Sequence, residues 1–189
     1  MNILYLHGFR SSPQSSKARL MASHFATTEH RFLCPQLPAS PAYSIELACE
    51  LIEDRGDAAN DWALIGSSLG GFYATHLAEK YGCRAALLNP AIAPASDLGE
   101  YVGELTRFHS DDTFEWKAEY LYQLDELRIE KITQPERYFL LAATGDEVLD
   151  WRLMRDHYAG AKQHIIEGGD HAISDFEKYV EQVVAFCVS

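Results

Sequence analysis

The chain has no apolar run approaching the roughly 20 residues that a membrane-crossing helix needs. It is also poor in cysteine. The four present, Cys34, Cys49, Cys83 and Cys187, are widely spaced and show neither a C-x-x-C pair nor ligand spacing. That excludes a disulfide scaffold or a zinc module and reads as buried, reduced thiols of a cytoplasmic protein. Basic residues are scarce: 16 Lys and Arg face 28 Asp and Glu, for a net charge of −12. A nucleic-acid or anionic-membrane partner needs a basic footprint and is disfavoured. One small basic cluster, Arg10, Lys17 and Arg19, reads as a solvated helix start. The opening Met1-Asn2-Ile3-Leu4-Tyr5-Leu6 lacks a basic leader and reads as a strand rather than a signal peptide. Neither repeats nor low-complexity tracts nor linkers are visible.

What is present suits one globular domain, 1–189, with 47% apolar and 23% charged residues. Short apolar runs at 3–6, 32–34, 62–65, 85–88, 138–142 and 164–166 carry few charges and no clean polar alternation. Such strands are buried on both faces, as in a parallel sheet. Helical patterns fall between them, at 15–25, 44–55, 70–81, 114–127, 150–158 and 174–187. Alternating strand and helix predicts an α/β doubly wound fold with right-handed crossovers. About 45 residues separate the runs at 85–88 and 138–142, too many for a simple crossover. This insertion, 93–135, holds Tyr101, Phe108, Trp116, Tyr120 and Tyr122. It is read either as a cap over a site or as an extra surface helix with its aromatics in the core. Asp112 and Thr113 are placed as a cap for its helix, with Glu115 in the first turn.

Gly66-Ser67-Ser68-Leu69-Gly70 fits Gly-x-Ser-x-Gly, with an apolar run before it and an amphipathic run after it. Strand, sharp turn and helix are the context a nucleophile elbow needs. Without Cβ atoms, Gly66 and Gly70 let strand and helix approach closely. Ser68 is the candidate nucleophile, and the Leu69 N–H at the helix start is a candidate oxyanion donor.

A serine hydroxyl is hardly ionised at neutral pH and needs a base, which in turn needs an acid to fix its tautomer. In a parallel sheet, active residues emerge at the carboxyl ends of strands. His24, His30, His76, His109, His157 and His164 lie elsewhere; His7 and His171 lie just past strands. His171, in Glu167-Gly168-Gly169-Asp170-His171, is the candidate base; the competing reading is a helix-capping loop histidine. Asp146, after Thr144-Gly145, is the candidate acid. Its rivals are Asp150, placed to cap the helix that begins at Trp151, then Glu147 and Asp170. In His7-Gly8-Phe9-Arg10, after the first strand, the Phe9 N–H is the candidate second oxyanion donor. His7 is read as a brace for that loop. His7, Arg10 and Asn89 are the candidate substrate-binding side chains.

On these residues the chain resembles the α/β-hydrolase superfamily, and more narrowly the small YqiA-type bacterial esterases. The likeness covers Tyr5-Leu6-His7-Gly8-Phe9 with Ser11, Ser12, Ser16 and Lys17, the stretch from Gly66 to Ala74, and Leu88-Asn89-Pro90-Ala91. It continues through Thr144-Gly145-Asp146-Glu147-Val148-Leu149-Asp150 and Glu167-Gly168-Gly169-Asp170-His171. The resemblance implies a three-layer α/β-hydrolase fold, with a minimal, mostly parallel sheet of about six strands and helices on both faces. It implies a triad of Ser68, Asp146 and His171. It also implies a carboxylic ester or thioester hydrolase acting on a small-molecule acyl substrate, with no cofactor and no metal. The oligomeric state is not legible.

Overall fold

The structure is a computed structural model, and it describes residues 1–54, 61–108 and 111–189. His109 and the end of the helix expected at 44–55 lie outside the described residues. Strands β1 (Asn2–Leu6), β2 (Arg31–Leu33), β3 (Trp62–Ser67), β4 (Arg84–Leu88), β7 (Tyr138–Ala143) and β8 (Lys162–Ile166) form one sheet in the order β2-β1-β3-β4-β7-β8. Every neighbouring pair in it is parallel. Strands β5 (Gly103–Thr106) and β6 (Thr113–Trp116) form a separate antiparallel hairpin. The helices are α1 (Ser16–Phe25), α2 (Pro41–Glu53), α3 (Leu69–Tyr81), α4 (Pro94–Asp97), α5 (Glu119–Leu127), α6 (Trp151–His157) and α7 (Val180–Val188).

Period-two alternation along the central strands builds two cores. Leu4, Leu6, Leu64, Leu87 and Leu140 face α2, α3 and α6. Their neighbours Ile3, Tyr5, Ile65, Leu88 and Leu141 face α1 and α7. Helices therefore cover both faces of the expected sheet. The chain runs from β1 outward to β2, then returns to the other side of β1 as β3. That reversal is a topological switch point, and a crevice opens there at the carboxyl ends of the strands. Leu6 and Gly66 are register partners. The loops after β1 and β3 thus leave the sheet side by side.

Several boundaries shift for local reasons. Helix α2 starts at Pro41, because the Ser40 hydroxyl accepts from the Tyr43 N–H at 3.3 Å and proline suits the first helical position. The helix expected over 114–127 is corrected: it holds only from Glu119, and Thr113–Trp116 is strand. Phe114 and Trp116 turn inward while Thr113 and Glu115 turn outward, a two-residue period that pairing with β5 rewards. The expected last helix is divided into a single turn of 3₁₀ helix at Phe176–Lys178 and then α7.

The insertion residues lie over the α2–α3 face. Trp116 is 1% exposed, and its indole N–H donates to the Leu98 carbonyl at 3.2 Å. Burying a large apolar side chain contributes roughly 1.5–3 kcal/mol, so Trp116 anchors the hairpin to the core. Tyr122, at 73% exposure, stays outside. Of the four thiols only Cys83 and Cys187 are buried; Cys34 and Cys49 are half-buried, and all are free. Burial pushes Cys34, Cys83 and Cys187 up to about 12, which keeps them protonated. No helix among the described residues is long and apolar enough to cross a membrane.

Candidate active site

Strand β3 ends in a turn sharp enough to force Ser68 to φ 55°, ψ −121°. A side chain held there costs about 1–3 kcal/mol, so its surroundings must over-determine it. They do so through one carbonyl: Ser68 C=O accepts from the N–H groups of Gly71, Phe72 and Ala91 at 2.8, 3.3 and 3.1 Å. The Ser68 N–H donates to Leu88 C=O at 3.0 Å. The flanking glycines are dictated by contact. A Cβ on Gly66 would lie 2.3 Å from the Gly70 oxygen, and one on Gly70 would lie 1.9 Å from the Leu6 oxygen.

The loop after β8 brings His171 to this turn. Its Nε2 lies 3.0 Å from Ser68 Oγ, and its Nδ1 lies 2.8 Å from Asp146 Oδ2. An ionised carboxylate only accepts, so Nδ1 carries the proton and Nε2 is left to accept from the serine hydroxyl. Such a series can take the proton from a serine oxygen as it attacks. The Asp146 side chain is fully buried. Its other oxygen accepts from the Val148 and Leu149 N–H groups, each at 2.8 Å. The rival acids are engaged elsewhere. Asp150 accepts from the Arg152 N–H at 2.9 Å and caps α6. Asp170 accepts from the Ser174 N–H and hydroxyl. Glu147 accepts from the His171 backbone N–H at 2.9 Å.

Phe9 and Leu69 both line the cleft beside Ser68. Leu69 is the first residue of α3, so its N–H has no carbonyl to bond within the helix. Phe9 is set by its ring, which meets Trp116 edge-on at 4.8 Å and Tyr101 at 5.8 Å.

The three side chains expected to bind substrate do other work, and two of those expectations are corrected. Asn89 is completely buried and does not line the cleft. Its Nδ2 donates to the Asp170 and His171 carbonyls at 3.1 and 3.0 Å, and its Oδ1 accepts from the Ala143 N–H at 2.8 Å. His7 borders the cleft, but both ring nitrogens are taken. Nδ1–H donates to Gly8 C=O at 3.0 Å, and Nε2 accepts from the Leu37 N–H at 3.1 Å. Burial brings its pKa down to about 4, so it is neutral and braces the loop. Arg10, at φ 58°, lines the cleft and ties the loop to the hairpin: its Nε donates to Thr106 C=O at 2.8 Å and its guanidinium lies over the Phe108 ring.

Lys17 is the residue that sequence reasoning misplaced. Rather than being a solvated helix-start charge, it is half-buried, lines the cleft and donates from Nζ to Ala172 C=O. Arg19 alone of that cluster is exposed. No residue-type pattern points from Lys17 to a carbonyl so distant in sequence. The cleft holds about 610 Å³, with Leu69, Ala91, Leu98, Val148 and Leu149 among its apolar lining. Among the described residues no cluster of three or more His, Cys, Asp or Glu could hold a metal ion.

Solved structures of the same architecture cover nearly the whole chain. A putative hydrolase from Agrobacterium vitis S4 matches with a TM-score of 0.78 at 16% identity, over 98% of this chain and 87% of that one. Est1E from Butyrivibrio proteoclasticus, with ferulic acid bound, gives 0.75 at 15% identity, over 98% and 87%. Alpha/beta hydrolase domain-containing protein 10 from mouse gives 0.72 at 15% identity, over 97% and 89%. At these identities the likeness establishes the α/β-hydrolase fold. The sequence itself goes further, for the model of the uncharacterised protein family UPF0227 matches residues 2–188, and the chain belongs to that family.

Proposed function

We propose that the protein is a serine hydrolase that cleaves carboxylic ester or thioester bonds of small acyl substrates through an acyl-enzyme. The observation that carries this reading is the series Ser68 Oγ, His171 Nε2 and Nδ1, Asp146 Oδ2, spaced at 3.0 and 2.8 Å on a strained elbow. His171 takes the Ser68 proton as the oxygen attacks the acyl carbonyl. The N–H groups of Leu69 and Phe9 receive the oxyanion. His171 then gives its proton to the departing alcohol or thiol, and a water, activated the same way, releases the acid. The chemistry asks for no metal or cofactor. Similar proteins of this fold include an esterase with ferulic acid bound and a Paleococcus ferrophilus monoacylglycerol lipase. Residues 93–135 serve as a cap-like wall on this reading, with Phe9 against Trp116 at its base.

A fluorophosphonate probe tests the proposal. Stoichiometric labelling at Ser68, absent in a folded Ser68→Ala variant that has lost turnover by orders of magnitude, is the expected result. Absence of labelling in the folded wild-type protein would favour a binding module built on the same fold. p-Nitrophenyl esters of increasing length, beside acyl thioesters, then rank the substrates.

A further inference from the structure

The cleft beside Ser68 contains a charge that the triad does not use. Lys17 lies in the first turn of α1, half-buried in the cleft wall. One of its N–H groups bonds Ala172 C=O, and no carboxylate among the described residues lies within ion-pair distance of its Nζ. The two carboxylates whose charge reaches it, Asp170 and Asp146, are hydrogen-bonded to Ser174 and His171 and act on the ammonium only through space. An ammonium drawn partly out of water with no carboxylate in direct contact is costly, and it stands out in a chain with 28 acidic residues. Desolvation brings its pKa down to about 8, against the opposing pull of Asp170 and Asp146, so it remains mostly protonated at neutral pH. On the side formed by α1 and the loop before it, the lining suits an anion. The first turn of α1 has no acidic residue, and the hydroxyl-bearing Ser11, Ser15 and Ser16 line the same cleft.

Position says which part of a substrate would meet this charge. His171 must hand its proton to the departing atom, so the leaving group lies against His171. Lys17 grips the carbonyl of the next residue, Ala172. The remaining N–H groups of the ammonium are therefore at the leaving-group end. Acidic lining, Asp97 and Glu100, comes from the insertion, which lies over the other face of the sheet. Those carboxylates disfavour an anion on that side.

Resting on the hydrolase reading above, we infer that the cleft selects esters or thioesters whose leaving group carries an anionic group, a carboxylate or a phosphate, which pairs with Lys17. Arg10 is a weaker contributor, since its Nε is already bound to Thr106 and its plane to Phe108.

The test compares kcat/KM for 4-carboxyphenyl acetate and 4-acetoxyphenyl phosphate with that for neutral 4-carbamoylphenyl acetate. Wild type, Lys17→Met and Lys17→Arg are measured side by side. The intrinsic lability of each ester is constant across variants, so the readout is the anionic-to-neutral ratio. Any common loss through the Ala172 contact cancels. A charge-assisted contact predicts that the ratio falls about tenfold or more in Lys17→Met and is largely kept in Lys17→Arg. The wild-type ratio should also shrink as salt rises from about 10 mM to about 0.5 M. If the carboxylate ester responds to Lys17 and the phosphate ester does not, the group recognised is a carboxylate; the converse assigns a phosphate. A ratio unchanged in Lys17→Met overturns the inference while leaving the hydrolase intact. If that variant does not fold, a salt-independent wild-type ratio overturns it equally. Absence of turnover of all three esters by wild type removes the hydrolase reading itself.

Discussion

Asn89 holds His171 by the backbone rather than by the ring. Its amide nitrogen donates to the carbonyls of Asp170 and His171, at 3.1 and 3.0 Å, from a completely buried position. Its oxygen takes the Ala143 N–H at the end of β7, so one side chain ties β7 to the loop that carries the imidazole. With Lys17 on Ala172 C=O, three successive carbonyls of that loop are captured by side chains. Asn89→Ala leaves buried partners unsatisfied and should cost about 1–3 kcal/mol in urea unfolding. A displacement of the imidazole near 1 Å should lower kcat by about 10–100-fold with KM little changed. Wild-type kcat in a folded Asn89→Ala protein would show that the loop keeps its place without the clamp.

Asp146 and Asp150 are four residues apart and separable by experiment. The Asp146 side chain is fully buried against the imidazole, whereas Asp150 caps α6. Asp146→Asn removes the acceptor that fixes the His171 tautomer, and turnover should fall by about 10⁴, the loss seen when the acid of a serine-protease triad is changed this way. Asp150→Asn keeps a good cap and should alter kcat by less than about twofold. Steady-state kinetics on one p-nitrophenyl ester, with circular dichroism to confirm folding, decides between them. The reverse ranking would reassign the acid.

What could be read in advance follows from where each signal resides. The four central strands, β1, β3, β4 and β7, were legible because burial on both faces leaves continuous apolar runs, whereas the edge strands β2 and β8 are partly exposed and showed only in short runs; a glycine turn after a strand marks Ser68, Asp146 and His171 locally. The hairpin was not. Asp112 and Thr113 read as a helix cap, and only pairing with Gly103–Thr106, which lies outside that local signal, makes Thr113 the start of a strand. Asn89, Glu147 and Lys17 act on backbone groups 81, 24 and 155 residues away. A backbone carbonyl carries no residue type, so nothing in the letters at either end announces such a contact. Lys17 illustrates the cost: beside Arg10 and Arg19 it has the look of ordinary surface charge.

Gly70 is required by sterics at the point where α3 crosses β1. A Cβ there would sit 1.9 Å from the Leu6 oxygen, 2.5 Å from its carbon and 2.7 Å from the His7 oxygen. These are main-chain atoms that cannot rotate away. Gly70→Ala should cost at least about 3 kcal/mol or abolish soluble expression. Gly99→Ala is the control, because its Cβ would meet only Leu121 Cδ1 at 3.9 Å, and it should leave stability within about 0.5 kcal/mol. Thermal melts of the two variants make the comparison. A Gly70→Ala protein as stable as wild type would mean that strand and helix can separate without loss.

His7 makes the stability of the fold depend on pH in a predictable direction. Its ring is buried, which holds its pKa at about 4 against an ordinary value of 6.5. The Leu37 N–H points at Nε2, so a proton there would also lose a hydrogen bond and meet a donor. Between those two values the unfolded chain binds the proton and the folded chain does not, so stability rises with pH across that window. Lowering the pH from 7 to 5 should therefore cost wild type about 2 kcal/mol through this one group. His7→Gln cannot titrate, and it should lose correspondingly less over the same interval, whatever its stability at pH 7. Urea unfolding of both proteins at the two pH values gives the difference directly. Equal losses would mean that His7 takes up its proton in the folded protein as readily as in the unfolded one, which its two backbone hydrogen bonds forbid.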